Sequence, residues 1–224
     1  RAAERFGGEA EKLAVHVKGL ELPMWDPRGQ KGLALSYAVS NRGGCHLQSL
    51  HDAFFEKENV FPEVGVKEPV SRYSSSRLKT FYTIVGEQVW GALADSLILC
   101  KYIFPFLIKL EDVPEMVKAA TGWNLTIKEL MLIAERAINL CRAFNVREGI
   151  ARKDDILPRK FEELAVTGGD ARGQTYPKAT LDTMLDDYYE LRGWNKNGIP
   201  KKEKLEELGL GWVAADLQKH GYYG

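Results

Sequence analysis

The chain has 224 residues, of which 45% are hydrophobic and 28% are charged, and these proportions are typical of a folded globular protein. Its 31 lysines and arginines are balanced by 31 aspartates and glutamates, so no net field attracts a polyanion. We therefore expect neither nucleic acid nor an anionic membrane as a partner. The longest apolar stretch, residues 102–108, is far too short to span a bilayer.

The first 25 residues are interpreted as the tail of a preceding domain or as a linker, because the chain begins at Arg1 and no targeting segment is recognisable there. Within them, residues 13–17 alternate between polar and apolar side chains and form the best strand candidate. The three cysteines, Cys45, Cys100 and Cys141, lie far apart and include no CxxC pair. This usage favours a reducing compartment and predicts a cytoplasmic location.

Helical periodicity dominates residues 26–224, which we expect to form one C-terminal helical domain. Asp26 followed by Pro27 is typical of a helix start, and that helix would end at residues 41–44, which include two glycines. Residues 47–75 are predicted to be irregular. Further helices are predicted from residue 78, at 112–122, from 126, around 181–188, at 200–208 and at 212–217. The fold class is therefore all-α, an irregular multi-helix domain with at most a short N-terminal strand.

The most regular amphipathic pattern follows Thr126. Together with Glu129 this threonine forms a capping box, a strong signal for a helix start. The apolar stripe behind it contains Leu130, Ile133, Ala137, Leu140, Cys141 and Phe144. We predict that this helix is central to the fold and that Leu130, Ile133, Leu140 and Phe144 are buried.

Three residues are candidates for chemistry, each with a plainer alternative. Cys100 is either a silent core thiol or a thiolate ligand whose companion ligands lie in other sequence, since no second ligand stands at metal spacing. Asp95 is either a helix cap or an acceptor for the N–H groups of a heterocycle. His46 follows a Gly-Gly turn on a loop and is either structural or catalytic. His16, His51 and His220 are interpreted as structural.

Four stretches together resemble one family, the tungsten- or molybdenum-dependent aldehyde:ferredoxin oxidoreductases. They are MWDPRGQKGLALSYAVSNRGGCHL (24–47), ALADSLILCKY (92–102), ATGWNLTIKELMLIAERAINLCRAFNVREGIARKDDILPRKF (120–161) and LDDYYELRGWNKNGIPKKEKLEELGL (185–210). They stand in the family's order and cover most of residues 20–210. The resemblance implies a helical C-terminal part of a larger enzyme. In that enzyme a metal held by two pterin dithiolenes lies beside a [4Fe–4S] cluster.

The resemblance also implies roles for single residues. Cys100 matches the fourth ligand of the cluster, and Asp95, Leu99 and Cys100 match a DxxGL(C/D) loop that touches a pterin. The glycine of that motif is replaced by Ile98 in this chain, which leaves the path of the loop open. His46 matches a histidine beside the metal that hydrogen-bonds the substrate or moves its proton.

Two further positions match more weakly, and a third departs from the family. Trp25 stands where some relatives place an aromatic residue of the substrate pocket, and Lys101 where some place a base that faces the substrate. Gln48 stands where some members carry a lysine near the pterin.

Two functions from different classes follow. The first is the C-terminal part of an aldehyde oxidoreductase that passes electrons through the cluster to ferredoxin. The second is a non-catalytic helical subunit or a stand-alone relative that binds a partner. For the first, the partners are the N-terminal and middle domains and ferredoxin, with a homodimer possible. The isolated chain is then expected to hold neither the tungsten (or molybdenum) bis-pterin nor the [4Fe–4S] cluster, and to be inactive.

Overall fold

The computed structural model describes residues 1–223 and their side chains except those of residues 11 and 12. Eleven α-helices are present in this part of the chain: α1 (Ala2–Phe6), α2 (Ala10–Leu13), α3 (Lys31–Val39), α4 (Arg77–Gly86), α5 (Ala94–Ser96), α6 (Val113–Thr121), α7 (Ile127–Arg147), α8 (Lys160–Glu163), α9 (Lys178–Arg192), α10 (Lys202–Glu207) and α11 (Gly211–Lys219). Two short antiparallel strands, β1 (His16–Val17) and β2 (Leu20–Glu21), pair with His16 opposite Glu21. The predicted all-α class with a short N-terminal strand is confirmed.

The element after Asp26 differs from its prediction. Asp26 does cap a helical turn, since its Oδ1 accepts a hydrogen bond from the Arg28 backbone N–H at 2.9 Å. That turn is a 3₁₀ helix over Pro27–Gly29, however, and α3 begins only at Lys31. The turn does not continue into α3, because Gln30 takes an extended conformation between the two helices.

The β-hairpin packs against α3. Val17 is buried in a small apolar cluster with Leu33 and Tyr37. Gly43, at φ +94°, lies so close that a Cβ atom there would come within 2.2 Å of the Val17 carbonyl oxygen. The Lys18 ammonium reaches the buried Asp155 carboxylate at 2.8 Å. The hairpin therefore contributes to the core that α3 shares with the second half of the chain.

Helix α7 is long and begins at the predicted capping box, with Thr126 and Glu129 bonded to each other's backbone N–H groups. The prediction of its buried face is only partly right. Leu130 is 1% exposed and Ile133 is only half-buried, but Leu140 is 38% exposed and Phe144 is 56% exposed. The prediction that these two side chains are buried was therefore wrong.

Polar residues explain the difference, because they occupy much of the buried face of α7. Glu135, Asn139 and Arg142 are all buried there beside Ala134, Ala143 and Val146. Each of the three polar side chains is hydrogen-bonded, as buried polar groups must be. The predicted stripe was defined by hydropathy and therefore left out these polar residues. As a result, the predicted buried face lay about one residue too far around the helix.

A matched pair of substitutions on α7 tests this correction. Replacing Leu130 by Ala should lower the free energy of unfolding by about 2–5 kcal/mol, because it opens a cavity in the core. Replacing Leu140 by Ala should lower it by less than about 1 kcal/mol, because part of that side chain already meets solvent. Urea denaturation measures both, and equal losses would contradict the assigned faces.

Candidate functional site

The site is built around a π-helical segment, Glu87–Leu93, which continues α4 directly into α5. Such segments are rare and frequently occur at functional sites. Gly91 in this segment and Gly86 at the end of α4 allow the loop of residues 45–50 to lie directly on the helix. A Cβ atom at Gly91 would come within 2.4 Å of the Gln48 carbonyl oxygen, and one at Gly86 within 2.8 Å of Ser49 Oγ. The loop that carries His46 is thereby fixed against this helix.

The end of α5 forms a left-handed turn at Ile98. The Leu99 N–H donates to the Ala94 carbonyl at 2.9 Å, and the Ile98 N–H donates to the Asp95 carbonyl at 3.2 Å. These two bonds form a Schellman motif, in which the residue at positive φ is usually glycine. Ile98 has a φ of +56° and its side chain is 92% exposed. The loop thus follows the path of the glycine-containing motif, although the residue is isoleucine.

Asp95 and Lys101 meet across this turn. The Lys101 ammonium lies 2.9 Å from Asp95 Oδ1 and donates to the Leu47 carbonyl at 2.8 Å. The Lys101 carbonyl accepts a hydrogen bond from the Trp90 indole N–H at 3.0 Å. Lys101 therefore ties the turn after α5 to the His46 loop, and the Asp95 side chain stays exposed.

A cluster of rings connects the other predicted residues. His51 packs edge-on against Trp25 at 4.7 Å, Trp90 at 5.9 Å and His46 at 6.0 Å between ring centroids. Its Nε2 lies 3.3 Å from the His46 carbonyl oxygen. Trp25 is held in turn, because its carbonyl accepts a hydrogen bond from the Tyr37 hydroxyl at 3.2 Å.

Both histidines of this cluster favour the neutral form. Partial burial and the positive charge of Arg42 lower the pKa of His46 below its ordinary value. Burial lowers the pKa of His51 as well. His51 was interpreted only as structural, yet it joins Trp25, His46 and Trp90. The sequence signal that could have indicated this role of His51 was its position five residues after His46 on the same loop.

A cavity of about 310 Å³ opens between the end of α3, the π-helical segment and α7. Its lining includes Asn41, Gln48, Glu87, Asp95, Cys141 and Arg142. A second, more open cavity shares four of these residues and adds Arg42, Leu140 and Phe144. The apolar side chains of α7 that were expected in the core therefore border this cleft, and Asp95 stands on the rim of both cavities.

Cys100 follows the same turn, and its thiol is free and exposed. Leu99 before it is half-buried and packs on the core. The surface beyond Cys100 is apolar, with Ile98, Tyr102, Ile103, Phe106 and Leu107 exposed. Among the described residues no group of three or more histidine, cysteine, aspartate or glutamate side chains could hold a metal ion. Within this part of the chain, Cys100 can therefore serve only as one ligand of a shared site.

The fold and site define a helical domain with a cleft between α3, the π-helical segment and α7. Asp95 lines this cleft and is joined through Lys101, Trp90 and His51 to His46 and Trp25. A family model described as aldehyde ferredoxin oxidoreductase, domains 2 and 3, matches residues 1–210. The chain belongs to this family. None of the helices in the described part of the chain combines the length and the apolar character needed to cross a bilayer.

Similar proteins include two tungsten-containing aldehyde ferredoxin oxidoreductases. That of Pyrococcus furiosus is 37% identical over 212 residues and that of Thermococcus kodakarensis 35%, each match covering 94% of this chain and 33% of the relative. The P. furiosus aliphatic sulfonate oxidoreductase, WOR-like subunit, is 27% identical over 98% of this chain and 31% of its own length. The chain thus spans about a third of the curated relatives it matches.

A solved structure shares the fold. The active site complex BamBC of benzoyl coenzyme A reductase, in complex with 1,5 dienoyl-CoA, matches 100% of this chain and 37% of its own chain with a TM-score of 0.72. Its sequence identity is 24%, so this likeness concerns the fold alone.

Replacing Ile98 by Gly tests the left-handed turn. A residue with a side chain costs about 1–2 kcal/mol in the left-handed region. Glycine removes this cost, but it also gives the unfolded chain more conformational freedom, which offsets about 0.4–1 kcal/mol of the gain. The exposed side chain contributes little packing, so the free energy of unfolding should rise by about 0.5–1 kcal/mol. Ile98→Ala is the control, because it removes the same side chain but keeps a Cβ atom. An equal gain in both variants would place the cause elsewhere than in the turn.

Proposed function

We propose that this chain is the C-terminal, cofactor-facing part of an oxidoreductase that converts aldehydes to carboxylic acids at a tungsten (or molybdenum) bis-pterin centre. Electrons pass through a [4Fe–4S] cluster to ferredoxin. One observation carries the proposal: Asp95 lines the cleft and its carboxylate is paired with Lys101, which also binds the loop of His46, while the Cys100 thiol after the same turn is exposed. The residue proposed to contact the pterin, Asp95, and the residue proposed to bind the cluster, Cys100, would then lie a few residues apart.

The residues present fit one part of each cofactor. The exposed carboxylate of Asp95 on the rim of the cavity suits the N–H groups of a pterin. Cys100 offers one thiolate, so the other cluster ligands must come from the rest of the protein. When bound, the metal–pterin group supplies the acceptor for the two electrons of the oxidation.

His46 is the proton acceptor in this proposal. Its lowered pKa keeps the imidazole neutral at neutral pH, as a general base requires. His51 fixes the backbone of His46 through the contact between its Nε2 and the His46 carbonyl oxygen. Trp25, half-exposed and packed on His51, forms an apolar wall of the substrate pocket. Lys101, whose ammonium is paired with Asp95, orients that carboxylate.

The apolar surface next to Cys100 is proposed to be covered by the N-terminal and middle domains of the whole enzyme, since exposed patches of this kind mark contact surfaces. The isolated chain would expose it and would form dimers or aggregates. The same surface would also fit a non-catalytic subunit. The bonds of Lys101 to Asp95 and to Leu47, the residue after His46, favour the enzyme.

Substituting His46 tests its role in the whole enzyme. His46→Ala or His46→Asn should lower turnover by roughly 10²–10⁴-fold, because proton transfer is lost, while metal and pterin contents stay near normal. His220→Asn is the control, since His220 lies exposed near the chain end and bonds only to Asp216. If His46→Asn loses the metal, the histidine binds or supports the metal centre instead.

The pH profile gives a second check of the same assignment. The neutral imidazole is the active form and its pKa is lowered, so activity should fall only as the pH drops below the ordinary histidine range. This acid limb of kcat/KM should disappear in the residual activity of His46→Asn. A limb at a pKa above that of free histidine would contradict the proposed role.

Cys100→Ser tests the cluster side. In the whole enzyme this variant should lose cluster iron, measured chemically in anaerobically prepared protein, because oxygen is a poor replacement for a thiolate ligand. Cys141→Ser is the matched control, since Cys141 is also free and exposed but lines the cleft. The isolated chain should be colourless and hold no stoichiometric iron or tungsten. One cluster per isolated chain would show that the ligands are assigned wrongly.

A further inference from the structure

Three charged side chains are buried together beneath the cleft. The Arg192 side chain is 0% exposed and lies between the buried glutamates Glu87 and Glu135. Its Nη2 contacts Glu87 Oε2 at 2.6 Å, and its Nη1 donates to Glu135 Oε2. With both glutamates ionised the cluster would carry one net negative charge away from water, which is costly unless a proton neutralises it.

The hydrogen bonds distinguish the two carboxyl groups. Glu135 accepts from Arg192 and Gln88 on Oε2 and from Asn139 on Oε1, so both of its oxygens are bonded as a carboxylate. The described bonds to Glu87, from Arg192 and from the Tyr188 hydroxyl at 2.6 Å, both fall on Oε2.

The other oxygen of Glu87 is free to carry the proton. Ser36 is a further polar neighbour of Glu87, and its hydroxyl lowers the pKa of the carboxyl, as do Arg192 and Tyr188, but burial outweighs all three. Burial raises the pKa of Glu87, so the acid form persists at higher pH than in an exposed glutamate.

The two glutamates face different sides of the protein. Glu87 is the first residue of the π-helical segment and lines the 310 Å³ cavity, as does Tyr188. Glu135 and Gln88 line a separate, open groove on the other side. The charges nearest on the cavity side belong to Arg142, which is paired with Asp155, itself paired with Lys18. The proton-bearing carboxyl is therefore the one in the cavity wall.

We propose that the cluster of Glu87, Arg192 and Glu135 binds one proton on Glu87 Oε1, and that Glu87 exchanges protons with the cavity during turnover. The second half rests on the proposed function. Oxidising an aldehyde hydrate to its acid releases two protons and two electrons, and the electrons leave to the ferredoxin acceptor. His46 takes one proton. Glu87 gives its own proton to solvent and takes the other from the cavity, so that it ends each cycle as the acid.

Infrared difference spectroscopy of the full-length protein tests the bound proton. The wild type should show the carbonyl band of a buried carboxylic acid, and Glu87→Gln should abolish it. Glu135→Gln should weaken the band or remove it, because this variant takes away the negative charge that the proton offsets, so the band shift in the next variant is what places the proton on Glu87. Tyr188→Phe, which removes one donor to Glu87, should shift the band without removing it. This variant also covers the case in which Glu87→Gln does not fold. A wild type without the band, or a band that survives Glu87→Gln, would overturn the assignment.

Turnover tests the exchange step. Glu87→Gln keeps the shape but cannot exchange a proton, so kcat should fall at least roughly tenfold while KM and metal content stay near the wild-type values. Glu56→Gln is the control, a half-exposed glutamate paired with Arg72 far from the cavity. An acid band that is lost without a change in kcat would leave Glu87 as a structural acid and overturn the exchange. A wild type that oxidises no aldehyde would refute the proposed function. The infrared band would still show whether Glu87 binds a proton.

Discussion

The close approach of two backbones, at Gly91 and Gln48, is the constraint on which the candidate site depends. A Cβ atom at position 91 would lie 2.4 Å from the Gln48 carbonyl oxygen, so a larger residue there must displace the loop. The loop carries His46 and the helix leads to Asp95. Moving one against the other would separate the groups that face the cleft. The Lys101 ammonium, bonded to both Leu47 and Asp95, closes the same contact from the other side.

Buried charge is the second feature that organises the fold. Arg142 and Lys18 share Asp155, and Lys79 pairs with Asp52 at 2.8 Å while Asp52 also accepts from the Leu33 N–H. Ion pairs of this kind contribute little net stability, because desolvation offsets much of the attraction. Removing one partner leaves an unpaired buried charge, which costs far more. The pairs therefore fix how the hairpin, α3, α4 and α7 fit together more than they strengthen the fold.

The turn after α5 gives the domain its two sides. Asp95 precedes the left-handed residue Ile98 and lines the cleft, whereas Cys100 follows it and has an exposed thiol. A reversal of the chain within six residues is what separates them. In the proposed enzyme this geometry would place a pterin and a cluster on either side of a single turn, and would give electrons a short path between them.

The sequence by itself determined the helical class and the start of α7 at its capping box, while the candidate site residues came from a family resemblance rather than from spacing, and of these Asp95 lines the cleft. Local signals suffice for helices because capping and periodicity act within a few residues. The tertiary structure decided which face of α7 is buried. Paired polar residues such as Arg142 lie in the core, while Leu140 and Phe144 face the cleft. It also decided that His51 belongs to the site and that Ile98 takes the conformation of a glycine. Both follow from contacts between segments distant in the chain, which hydropathy does not encode.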